Sequence, residues 1–182
     1  MEVKTHCDRC GGKLSSMKMS ILNIDMLCPK CIERERNHLR FREAKKAEAE
    51  EVKNGNYNYK GLLYDEKPSV FTSYFAKHKV EKYENAISIA RKTPEGIRTY
   101  EPLFPPEHLL RKIKSGKIDW DEYTQIYYAE VLDFLDPKKV LEDLGENPVL
   151  LCYEKSGDDC HRYIVSEWLE NKLGIMCKEK ES

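Results

Sequence analysis

Cys7, Cys10, Cys28 and Cys31 stand in two Cys-x-x-Cys knuckles, CDRC and CPKC, with seventeen residues between them. A short turn presents both thiolates of each knuckle to one ion, and two such turns complete a tetrahedral sulfur cage and close the loop between them. Gly11 and Gly12 after the first knuckle, and Pro29 inside the second, suit tight turns. The spacing predicts a structural zinc site, ahead of disulfides or a redox pair. Four thiolates fill the coordination sphere, so catalysis at this metal is not expected.

A chain of 182 residues with 40% hydrophobic content can hold one core-bearing domain and a small appendage that cannot fold alone. The division expected is a zinc ribbon over 1–35, a charged helix and linker over 36–67, and an α/β domain over 68–182. No stretch is apolar enough for a membrane helix, and residues 1–20 lack the centre of a secretory signal. With an odd count of seven cysteines, four of them in zinc-type spacing, and no export signal, a reducing cytoplasm is expected rather than an oxidising compartment. The net charge of −1 gives no bulk attraction to nucleic acid or anionic lipid. Residues 1–60 carry 13 Lys and Arg against 9 Asp and Glu, and 61–182 carry 18 against 23, so the front part is only weakly basic.

From Ile32 to about Lys53 there is no Pro or Gly, and a single helix is expected, with a thin apolar stripe of Leu39, Phe41, Ala44, Ala47 and Val52. It stops at Asn54-Gly55, and the connector NGNYNYKG follows. SVFTSYFA reads as a first strand of the larger unit and NAISIAR as a second. A proline-punctuated stretch then forbids regular structure until a helix runs from about Glu107 to Gly116. Asp119 and Glu122 have the spacing of a capping box before a helix to about Leu135, with Tyr123, Ile126, Tyr127, Val131 and Phe134 facing inward. Asp136-Pro137 opens another helix that ends at Gly145. PVLLCY reads as a strand covered on both faces, EKSGDD as a loop, and CHRYIVSEWLENKL as an amphipathic helix closed by Gly174. Strand, loop and helix in this order indicate an α/β fold, a Rossmann-like, mostly parallel sheet with flanking helices.

In such sheets ligands sit beyond the carboxyl ends of strands, where the next helices point their free N–H groups. Cys152 and Glu154 are at such an end, and Cys160, His161 and Arg162 open the following helix. A cysteine in a first helical turn beside an arginine is expected to have a depressed pKa. Arg162 offers a planar fork for phosphate or carboxylate. Arg91 and Lys92, after the second strand, are candidates to extend the anion pocket. Against these stand plainer readings: Cys152 as a small core residue, Cys160 as an inert capping thiol, Arg162 in salt bridges with Glu154, Asp158 or Asp159, and Tyr123 and Tyr127 as packing. A second metal site from Cys152, Cys160 and His161 is disfavoured because adjacent residues point apart on a helix. A Cys152–Cys160 redox pair needs the two Cα atoms within about 7 Å. His6, His38, His78 and His108 lack ligand-like spacing.

LLCYEKSGDDCHRYIVSEWL resembles the signature of the domain of unknown function 488 family: an aliphatic strand, Cys-x-Glu, a short loop, and Cys-His-Arg opening a helix. SIA at Ser88 to Ala90, LFPP at Leu103 to Pro106, Lys114, and Tyr123 with Tyr127 are similar to residues of that family. The resemblance spans about 68–175 and implies an α/β fold with a candidate pocket, without a reaction. The front part, ending in GNYNYKG, is similar to zinc-ribbon openings of phage-encoded proteins.

The resulting expectation is an α/β protein acting on a phosphate-bearing or nucleotide-like molecule. Cys152 or Cys160 is the nucleophile, His161 moves protons, Arg162 holds the anion and Glu154 orients one of them. The rival expectation is a binding module without turnover, recognising nucleic acid or a protein partner through the corner and the ribbon.

Overall fold

The computed structural model describes residues 4–77 and 83–180; His78 lies outside them. The front segment is a small antiparallel ribbon, β1 (Lys18–Met19) against β2 (Met26–Leu27), with Lys18 opposite Leu27. It leads through the second knuckle into α1 (Pro29–Glu35), with Cys28 at its extended N-cap.

The larger unit is a five-stranded, wholly parallel sheet in the order β5-β4-β6-β3-β7. Its strands are β3 (Val70–Tyr74), β4 (Ala86–Ser88), β5 (Arg98–Thr99), β6 (Val149–Cys152) and β7 (Cys177–Glu179). All four residues of β6 are buried, as its unbroken apolar run requires of a strand covered on both faces. Leu150 faces a core built with Val70, Ile87, Leu109, Tyr127, Leu144, Val165 and Trp168. Val149 and Leu151 face the other way, against Ile97 and the partly buried Phe71, Phe75, Tyr83 and Ala86.

Between β5 and β6 the chain forms α3 (Glu107–Lys114), α4 (Trp120–Glu130) and α5 (Pro137–Leu144). After β6 comes α6 (His161–Leu173). The capping box is formed: Asp119 accepts from the Glu122 N–H at 2.8 Å, and Glu122 accepts from the Asp119 N–H at 3.2 Å. Asp136 caps α5 ahead of Pro137, and Gly174 ends α6 in the left-handed conformation.

Four local expectations are corrected. The single helix over Ile32–Lys53 is two helices, α1 and α2 (Phe41–Lys53), because the chain turns between them to bury His38. The His38 ring donates from Nε2 to the Ile175 carbonyl and accepts the Arg40 N–H at Nδ1, both at 3.1 Å. Of the predicted stripe, Ala44 is buried while Leu39 and Val52 are exposed. The helix expected to reach Leu135 stops at Glu130, and a 3-10 turn over Leu132–Phe134 buries Leu132 and leaves Phe134 81% exposed. The proline-punctuated stretch contains β5, two residues long and paired with Ile87 and Ser88. Beyond these, β7 lies after Gly174, where no element is expected from the sequence, and its Cys177 and Glu179 are buried.

Ribbon and sheet are in direct contact. The Glu179 N–H donates to the Arg9 carbonyl at 2.8 Å, and the Tyr163 hydroxyl donates to the Cys10 carbonyl at 2.9 Å. Lys30 pairs with Asp159 at 2.8 Å and Arg34 with Glu167 at 3.4 Å.

Candidate active site

β6 is the middle strand of the sheet, and its carboxyl end delivers Cys152 into a corner closed by the loop Tyr153–Asp159 and the start of α6. Both sulfurs approach one carboxylate oxygen: Cys152 Sγ lies 2.9 Å and Cys160 Sγ 3.0 Å from Glu154 Oε2. His161 Nδ1 is 3.8 Å from Cys152 Sγ. Its other nitrogen, Nε2, donates to the Ile89 carbonyl at 2.8 Å, just beyond β4. That bond sets the tautomer and turns the Nδ1 lone pair toward the sulfurs. Tyr127 presents its ring to the imidazole edge-on at 5.8 Å, while its hydroxyl is fixed on the Leu103 carbonyl at 2.6 Å. Tyr127 packs, as its spacing predicts, and what it packs on is His161.

The neighbourhood of Cys160 and His161 follows from the backbone. Cys160 is the N-cap, extended at φ −150° and ψ 137°, so its side chain does not follow the helical rotation that begins at His161. The potential ligand atoms of Cys152, Cys160 and His161 therefore all lie within 4.8 Å of one another. Adjacent side chains diverge inside a helix but need not do so across its cap, as Cys160 and His161 show.

Electrostatics in the corner differ from the expectation for a helix start. Burial pushes the Cys160 thiol well above its ordinary value, and the neighbouring Cys152 adds to this. A depressed Cys160 pKa is thus not what this environment produces: an apolar wall outweighs the helix N-terminus. Burial also pushes the Glu154 carboxyl up, but hydrogen bonds from Cys152 and Cys160 outweigh it and hold the group below the usual carboxylate range. At His161 burial opposes the charged ring, while Cys160, the Ile89 carbonyl and Glu154 together raise it above its ordinary value.

Two cavities of about 430 Å³ each open on the corner, sharing Leu110, Lys114, Glu154 and His161 as walls. The first is lined by Cys152, Arg91, Lys92 and Arg111, the second by Cys160, Trp120 and Tyr123. Trp120 and Tyr123 are stacked at 4.8 Å, an aromatic surface inside the second cavity. Arg91 and Lys92, which follow β4, are on the wall of the first cavity. Arg111 and Lys114, three apart on α3, add two cations; only Lys114 is singled out by sequence, through the family resemblance. Which face of α3 meets the corner is decided by tertiary packing.

Arg162 is not brought into either cavity. It is fully buried and turned back under the loop, donating to the Glu154 carbonyl at 2.8 Å, the Lys155 carbonyl at 3.0 Å and the Tyr163 hydroxyl at 2.8 Å. Its Nε lies 3.6 Å from Glu179. Its fork shapes the loop that carries Glu154 and has no donor directed to a guest.

The four ribbon cysteines are all buried, and their sulfurs lie within 4.8 Å of one another, with Cys10 and Cys28 at 3.8 Å. Sulfurs about 2.3 Å from a tetrahedral ion stand about 3.8 Å apart, so the donor set fits a closed metal site. The Cys28 N–H points at Cys7 Sγ at 3.4 Å, as outer-shell donors to metal thiolates do. A further cavity of about 540 Å³ lies between this ribbon and the sheet, lined by Lys13, Lys77, Lys155 and Lys180 among others.

No curated protein and no solved structure was found to match the chain. A family model does: DUF488-N3a, described as the active DUF488-N3 subclade, matches residues 70–173, from β3 to the last residue of α6. With more than half its length matched, and with Cys152, Glu154, Cys160 and His161 assembled at the carboxyl end of the central strand, the chain belongs to the DUF488 family, in this DUF488-N3 branch.

Proposed function

We propose that the protein is an enzyme that acts on a phosphate-bearing or nucleotide-like substrate at the end of β6, with zinc in the four-cysteine ribbon as a structural ion. One observation carries the reading: a carboxylate, an imidazole and two sulfurs converge between two cavities whose rim holds Arg91, Lys92, Arg111 and Lys114. The cations supply a seat for a multiply charged anion, and the stacked Trp120 and Tyr123 suit the flat face of a base or sugar. Glu154, ionised, accepts protons from the reacting end, and His161, with Nε2 fixed, exchanges them through Nδ1. The sulfurs are the soft, electron-rich atoms of the site, competent to attack an electrophile or to hold a metal that activates water. The description of the matching branch as active agrees with retention of these groups. The reaction is expected to take place in the cytoplasm, where the thiols stay reduced.

The test is a panel of nucleotides and sugar phosphates, scored for binding by calorimetry and for consumption by mass spectrometry. Arg111→Ala and Lys114→Ala are expected to weaken binding about tenfold each, and Glu154→Gln and His161→Asn to lower turnover by about 10²–10⁴ with binding kept. If no phosphate-bearing compound binds, or if turnover survives both corner substitutions, the reading falls.

A second reading, a nucleic-acid-binding role, is favoured by the lysine-lined cavity between ribbon and sheet. Salt-titrated binding to single- and double-stranded DNA and RNA separates the two: steep salt dependence without consumption supports binding alone. A protein partner docking on the ribbon remains the third expectation, addressed by pull-down with and without the ribbon metal.

A further inference from the structure

The geometry points to a second metal site: we propose that Cys152, Cys160 and His161 ligate one zinc-class ion whose fourth position is left to water beside Glu154. The proposal deepens the reading of this corner as the active centre and rests on it for the meaning of the open position. It commits the two sulfurs to ligation rather than attack.

The donor atoms are already gathered. All three lie within 4.8 Å of one another, and Cys152 Sγ and His161 Nδ1 are 3.8 Å apart. A sulfur at about 2.3 Å and a nitrogen at about 2.0 Å from a tetrahedral ion stand roughly 3.5 Å apart, so only a small adjustment separates the structure from a ligated geometry. Without a cation the sulfurs are held only by their thiol protons, both given to Glu154. Two buried thiols, each a weak donor, crowd a single Glu154 oxygen at 2.9 and 3.0 Å, collecting electron-rich atoms at one point. An ion bound there would take the place of the two thiol protons and draw both sulfurs to itself.

Outer-shell contacts agree. A ligating histidine characteristically donates its second ring nitrogen to a carbonyl or carboxylate, which orients the ring; His161 Nε2 does so to the Ile89 carbonyl at 2.8 Å. The ring is also braced by Tyr127 at 5.8 Å. Three protein ligands with cavities on two sides describe a catalytic type of zinc site, whereas the ribbon's four thiolates describe a closed structural one. A zinc-class ion held there would supply an acidified water, and Glu154, beside the open position, would be placed to accept its proton.

Metal content tests this without reference to turnover. Full-length protein saturated with Zn²⁺ and freed of excess is expected to contain two zinc ions per chain, measured by plasma mass spectrometry. The double substitution Cys152→Ser/Cys160→Ser and, separately, His161→Asn should each reduce this to one, with circular dichroism confirming that the fold is kept. Glu154→Gln should leave two. With Co²⁺ in place of Zn²⁺, the wild type should show two populations that differ in rate of extraction by a chelator, the faster one lost in His161→Asn. One ion per chain in the saturated wild type, or two that persist in His161→Asn, overturns the proposal, as does a Cys152–Cys160 disulfide that forms in the presence of saturating Zn²⁺. The two readings fail separately: two ions with no phosphate-bearing ligand leaves the metal and removes the substrate class. One ion with Glu154-dependent consumption of a nucleotide does the reverse.

Discussion

At the scale of single residues, Arg162 teaches most. A Cys-His-Arg triplet at a helix start invites the view that all three side chains serve a guest, and two of them do face the cavities. Arg162 instead neutralises Glu179 and gathers the carbonyls of Glu154 and Lys155 beneath the loop. Removing it leaves Glu179 buried without its counter-charge, so Arg162→Ala is expected to lose about 3–5 kcal/mol in urea unfolding. Arg162→Lys should recover little of that, since an ammonium cannot span two carbonyls, a hydroxyl and a carboxylate. His38 offers a second residue-level test. Burial holds its imidazole below its ordinary value, opposed by the Ile175 carbonyl, deepened by Arg9 and Arg40 and again opposed by Glu66. The unfolded chain then takes up a proton that the folded chain refuses. Stability from this site is complete above pH about 6.5 and declines as pH falls below it. Urea midpoints at pH 7.5 and 5.5 should therefore converge in His38→Gln relative to the wild type.

Among the elements, the loop between β6 and α6 governs the corner and is gripped from the ribbon side. Gly12 and Gly157 meet backbone to backbone: a Cβ on Gly157 would lie 2.5 Å from the Gly12 Cα, and Gly157 has φ +85°. The Gly157 N–H also donates to the Tyr163 hydroxyl at 3.1 Å. Gly157→Ala is expected to cost about 1–3 kcal/mol, through strain and the separation of two surfaces that have no room to spare. Thermal melts measure the loss, and a faster release of ribbon metal to a chelator shows where it acts. This grip also marks the limit of what sequence patterns reveal. β3, β6, α3, α5 and α6 carry their signals locally, in β-branched runs, caps and terminal glycines, and those signals survive folding. β7 and the break at His38 depend on long-range partners, Thr72 and Ser156 for Glu179, and Ile175 for His38, which no local window contains. The candidate quartet could be read from its motif, but the extended N-cap that brings Cys160 and His161 together could not.

For the molecule as a whole, ribbon and sheet behave as one structure joined through Arg9, Cys10, Tyr163 and Glu179. No helix among the described residues is long and apolar enough to cross a membrane. Stripping the ribbon metal is expected to free the Cys10 carbonyl from Tyr163 and loosen the Glu154 loop 144 residues away in sequence. Chelation should lower the melting temperature of the entire chain, instead of producing a separate early transition, and calorimetry distinguishes the two outcomes. The strand order has a consequence for biosynthesis. β3 and β4 are consecutive in sequence but never touch as neighbours, because β6 wedges between them. A nascent chain emerging from the ribosome must therefore hold β3 without a sheet partner, and β4 with only β5 beside it, until residue 152 has been made, so closure of the sheet waits for the segment that also carries Cys152.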